Sequence, residues 1–112
     1  MRLNLYELAA AGMLISFVTL ALPGSLRAQS DADKIFKTSC VLCHAADGSG
    51  SSPTGKALKA KDLKSDEVQK VSDVDLAAVI SNGRGKMPAF GKKLKPEDIT
   101  ALVQYIRGLP KK

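Results

Sequence analysis

Apolar residues recur at helical spacing in separate stretches of the chain. Ala32, Ile35, Phe36 and Cys40 fall on one face of a helix, and Ile99, Leu102, Val103 and Ile106 on one face of another, with the run LAAVIS (76–81) between them. Boundary residues frame each stretch. Ser30 or Asp31 can cap the first helix, which is expected to end near His44. Ser65 and Ser72 read as caps, with Asp75 completing a capping box three residues after Ser72 and Asn82–Gly83 stopping that helix. The last helix has Pro96 in its first turn, Glu97 and Asp98 where the helix dipole favours acids, and Gly108 and Pro110 at its end. ADGSGSSPTG (46–55) is expected to be a loop from its Gly, Ser and Pro content. No stretch alternates with period two, so the predicted class is all-α.

A different pattern precedes these helices. Arg2 is followed by an uncharged run from Leu8 to Leu22, broken by Pro23 and Gly24. The run is shorter than the roughly 20 apolar residues of a spanning helix, and its order is that of a secretory signal peptide. The predicted organisation is a signal at 1–28, cleaved after Ala28, and one domain at 29–112. Removal of the signal leaves no stable membrane insertion, and places the domain outside the cytoplasm.

Charge narrows the partners. Lys and Arg outnumber Asp and Glu by 17 to 11, a net charge of +6 with a local concentration at GKKLK (91–95). No aromatic-rich strand or helix-turn-helix pattern accompanies it, which argues against nucleic acid. An acidic protein surface fits better.

The chemistry concentrates in CVLCH, residues 40–44, which holds every cysteine and histidine of the chain. Four uses of such a pair compete: a disulfide, half a zinc site, a thioredoxin-like couple, or thioether attachment of a c-type haem. A Cys40–Cys43 bridge closes too small a loop to remove much chain entropy. Structural zinc takes four Cys or His ligands and three are present. A thioredoxin-like pair wants a βαβ setting, against the all-α expectation. Haem uses every unusual residue: Cys40 and Cys43, three apart on a helical turn, can reach two vinyl groups, and His44 can turn its imidazole to the iron. Met87 is the only methionine after residue 28, in the Gly-rich loop NGRGKMPAF.

CVLCH, GRGKMPAFG (83–91) and the closing amphipathic helix together resemble a small bacterial class I c-type cytochrome over essentially all of residues 29–112. The resemblance implies a cytochrome c fold, all-α, with helices wrapped around one covalently bound haem c. It implies attachment through Cys40 and Cys43, iron ligation by His44 and Met87, and a Pro53 carbonyl that accepts the other ring N–H of the histidine. Ala32 and Phe36 on the first helix are expected to meet Leu102 and Tyr105 on the last. His and Met ligation raises a haem potential, because the thioether favours ferrous iron. The implied function is a one-electron carrier between redox proteins: exported, periplasmic, monomeric, no enzyme, docking on acidic partner surfaces. The alternative is a haem c subunit of a dehydrogenase or oxidase complex. The chain departs from the family in two places. Lys95 stands where Ser or Thr often caps the last helix, and without Trp the haem propionates are expected to meet Arg84 and Lys86.

Overall fold

The computed structural model describes residues 24–111. Most of the predicted signal, residues 1–23, lies outside the described residues. Six helices follow one another: α1 (Gly24–Ser39), α2 (Val41–His44), α3 (Pro53–Leu58), α4 (Asp66–Gln69), α5 (Asp73–Asn82) and α6 (Pro96–Arg107). Among the described residues there is no strand, only an isolated pairing of Arg84 with Met87, and no helix is long and apolar enough to cross a membrane.

The capping signals work as read. Ser72 Oγ accepts the Asp75 N–H at 3.1 Å and donates to its carboxylate at 2.8 Å, and Ser65 accepts the Val68 N–H. Lys95 offers α6 no side-chain cap, and Asp98 compensates by reaching back to accept the Lys95 N–H at 3.1 Å. Three boundaries differ from expectation. The first helix is already formed at Gly24, the first described residue, ahead of Ser30 and Asp31, since SLRAQS contains nothing that breaks a helix. It pauses at Cys40, whose φ of −115° sets α2 apart as its own turn. A further helix, α3, opens inside the expected loop, because Ser52 accepts the Gly55 N–H and Pro53 occupies the first turn.

The core forms where α1 meets α6, the most extensive helix contact. Ala32, Phe36, Leu102 and Val103 are buried there almost completely, and the Phe36 and Tyr105 rings lie 4.9 Å apart, tilted by 37°. Tyr105 donates its hydroxyl to Asp33, which also accepts Lys37 Nζ. In the same last turn of α6, Arg107 donates to Asp73 and to the carbonyls of Gln69 and Val71, tying the helix to the α4–α5 corner. Leu63, Val68, Leu76, Ile80, Ile99, Ile106 and Leu109 complete the core, and Cys40, Val41 and Met87 pack against it half-buried.

Candidate haem site

The CVLCH segment is a turn whose backbone leaves the two thiols and the imidazole in a short stretch of surface. Cys40 carbonyl accepts the N–H of both Cys43 and His44, at 3.2 and 2.9 Å. Both cysteines are free thiols, half-buried. Burial pushes the Cys40 thiol up to about 11, with Cys43 adding to the shift. A redox couple of the thioredoxin kind runs on a depressed thiol, so this environment is unsuited to it. Zinc is equally poorly served: among the described residues no three His, Cys, Asp or Glu side chains gather.

The histidine is oriented from behind. His44 Nδ1 lies 3.1 Å from the carbonyl oxygen of Lys61. A carbonyl only accepts, so Nδ1 carries the proton, and in the neutral ring the lone pair belongs to Nε2. The resemblance assigned that acceptor to Pro53, and the structure corrects it: Pro53 is exposed at the first turn of α3, where its fixed φ starts a helix, and the 60–64 segment passes the imidazole instead. Nothing in the side chain of Lys61 signals this role, because the contact is made by backbone.

The chain around the imidazole is tightly cross-bonded. Gly50 N–H donates to the His44 carbonyl and Leu63 N–H to the Gly48 carbonyl, both at 2.8 Å, while Ser52 Oγ donates to the Leu42 carbonyl at 2.7 Å. Ala45, immediately after His44, sits at φ 62°, ψ 162°, a region that almost only glycine enters, at a cost of about 1–3 kcal/mol. Hydrogen bonds on both sides hold it there. Gly55 seats beneath: a Cβ on it would come within 2.0 Å of the Cys43 carbonyl oxygen and 2.5 Å of that of Gly50.

Met87 lies on the loop after α5, half-buried against the core. Its N–H donates to the Arg84 carbonyl at 2.9 Å and its carbonyl accepts the Arg84 N–H at 3.1 Å, a tight turn that Gly83 and Gly85 permit with φ of 73° and 56°. A Cβ on Gly83 would meet the Met87 carbonyl oxygen at 2.6 Å. Arg84, Lys86, Lys92, Lys93 and Lys95 are all exposed on this segment. The ion pairs among the described residues engage Lys37, Lys61, Lys64 and Arg107, and none of those five.

The donor set suits a haem: two unpaired thiols one turn apart, an imidazole with its metal-binding nitrogen defined, and a neutral thioether in a glycine-hinged turn. Comparison with known proteins agrees. The family described as "Cytochrome C oxidase, cbb3-type, subunit III" matches residues 27–106. Cytochrome c6 of Gloeothece citriformis is 32% identical over 107 residues, covering 83% of this chain and 90% of that protein. Cytochrome c6 of Anabaena variabilis is 37% identical over 75 residues, covering 67% and 84%. The solved structure of the KustC0563 c-type cytochrome superposes with a TM-score of 0.67 at 35% identity, covering 72% of this chain and 99% of that one. The fold and site thus define a small class I haem protein of the all-α kind. The chain belongs to the c-type cytochrome family, binds one covalent haem c with its iron, and carries electrons.

Proposed function

We propose that the haem is attached through Cys40 and Cys43 and ligated by His44 Nε2 and Met87 Sδ, and that the chain passes single electrons between larger redox proteins without making or breaking bonds in a substrate. The observation that carries this reading is the Lys61 carbonyl on His44 Nδ1, which fixes the tautomer a ligating imidazole needs and raises its basicity. When bound, the haem supplies a one-electron couple. The chain's own residues would orient the imidazole and bring a thioether from the 83–91 turn.

The exposed basic segment from Arg84 to Lys95 supports docking against acidic partner surfaces, and Arg84 and Lys86 are the cations nearest in sequence to Met87 for the propionates. The signal pattern at 1–28 supports export to the periplasm. A monomer working as a free carrier is the first reading. The description of the matched family as an oxidase subunit favours a second, in which the same domain serves one enzyme complex. Retention of the exported protein by a large catalytic chain through gel filtration separates the two.

Met87→Ala tests the ligation. The haem should stay attached, the sixth position should open to added ligand, and the potential should fall as the thioether's preference for ferrous iron is lost. A sulfur-to-iron charge-transfer band in the oxidised wild type that persists in Met87→Ala rejects the assignment.

A further inference from the structure

Outside the donor set, one ion pair stands apart from the others by its burial. Lys64 has a side chain only 6% exposed, and its Nζ lies 3.5 Å from the carboxylate of Asp47, which is 57% exposed. The remaining Lys–acid pairs, Lys37–Asp33 and Lys61–Glu67, join side chains that are all at least 40% exposed. A surface pair contributes little, whereas a desolvated ammonium depends on its counter-charge.

The position of the pair is as informative as its burial. Asp47 follows His44 by three residues, and Lys64 follows Lys61 by three. Two segments therefore run side by side and are joined three times: His44 Nδ1–H to the Lys61 carbonyl, Leu63 N–H to the Gly48 carbonyl, and Asp47 to Lys64. The Asp47 side chain and the Lys64 backbone are each pinned locally. Asp47 Oδ1 accepts the Ser49 N–H at 3.0 Å, and the Lys64 N–H donates to Asp62 at 2.9 Å. The Lys61 side chain turns away to Glu67, so its carbonyl is placed by the backbone alone.

We propose that the Asp47–Lys64 ion pair is a positioning device for His44, holding the Lys61 carbonyl against imidazole Nδ1 and thereby setting how strongly the ring donates to iron. The inference rests on His44 being the ligand. Without the Asp47 charge the buried ammonium has no partner, and its way out is toward water, which carries the 60–64 segment off the ring. A longer Nδ1–H···O bond makes the imidazole a poorer donor, stabilises ferric iron less, and raises the potential. The Ser49 hydroxyl and N–H, with Lys64, lower the Asp47 pKa to about 2, so the carboxylate is ionised throughout the range in which the protein works.

The test uses the full-length holoprotein with Asp47→Asn, Lys64→Met and the double variant. Asn keeps the shape and the Ser49 acceptor while removing the charge. Three quantities are read: the reduction potential, the exchange rate of the His44 ring N–H by NMR in the ferrous state, and the melting temperature. Asp47→Asn should raise the potential and speed ring-proton exchange by about fivefold, the factor for losing a net hydrogen bond. Lys64→Met should act in the same direction but less, and adding Asp47→Asn to it should change nothing further, since the charge then has no partner. If Asp47→Asn does not mature, Lys64→Met is read against wild type alone. A lower melting temperature with unchanged potential and unchanged ring exchange overturns the proposal and leaves the pair a staple. A wild-type spectrum in which the His44 ring lacks the shifts of a haem ligand overturns the ligation itself, and with it the proposal, before any variant is compared.

Discussion

The two sides of the site are built differently. On the histidine side, residues 40–64 are cross-linked by backbone bonds, by Ser52 on the Leu42 carbonyl and by the Gly55 seat against Cys43. On the methionine side, the turn from Arg84 to Met87 is held by its own reciprocal pair, and its nearest anchors are Phe90 N–H on the Ile80 carbonyl and Gly91 N–H on that of Ser81. A Cβ on Gly85 would meet nothing within 4 Å. Low local cross-bonding is where a fold opens first. The proposed histidine ligand therefore belongs to the rigid part of the molecule and the proposed methionine ligand to the part that gives.

The strongest way to break this contrast is to remove what both sides share. Cys40→Ser with Cys43→Ser should abolish covalent haem and, in so small a core, leave a largely unfolded chain. Far-UV circular dichroism with normal helical content and a cooperative melt would contradict that dependence.

A pair of glycine variants sharpens the contrast. Gly55→Ala forces a methyl into two carbonyl oxygens that belong to backbone and cannot swing aside, at a cost of about 3 kcal/mol or more. Gly85→Ala meets no atom and bears only its positive φ, about 1 kcal/mol. Chemical denaturation of the two holoproteins should rank them in that order. Equal losses would mean the two sides are equally stiff.

Charge on the looser side should act on encounter. Replacing Lys86, Lys92 and Lys93 by Glu should slow electron transfer to an acidic partner about tenfold at low salt, and the difference should shrink as salt rises. A stopped-flow rate indifferent to both moves the docking surface elsewhere.

The smallest expected effect is a titration on the histidine side. Asp47 has its pKa lowered to about 2 from the ordinary 3.8, first by Ser49 and then by Lys64. A depressed carboxylate contributes stability that is present above its unfolded value and lost as pH falls through the folded one. That contribution should therefore fall away between about pH 4 and pH 2, and Asp47→Asn should flatten that limb of the unfolding curve.

Helix α6 and the Ser72–Asp75 start of α5 were legible because their signals are side chains at fixed spacing, and the burial of Ala32, Phe36 and Leu102 followed from the same periodicity. The acceptor for the histidine was not. Lys61 contributes a carbonyl, which every residue has, so only the path of the backbone singles it out. Helix α3 was hidden for another reason: the Gly and Ser content of 46–55 outweighed the Ser52–Pro53 start signal inside it. The pairing of Asp47 with Lys64 likewise depends on two loops lying in register, which neither loop's sequence states.

The clasp between the first and last helices also governs timing. Tyr105 and Asp33 are 72 residues apart in sequence, and the α1–α6 contact they belong to forms the centre of the core. Long-range contacts of this kind close late, because the intervening chain must lose its freedom before any of them is rewarded. Until α6 has emerged and docked, α1 has nothing to bury against. Cys40 and Cys43, half-buried in the finished fold, are then accessible on an open chain. The proposed thioethers therefore form on that open chain, and the docking of the C-terminal helix follows them.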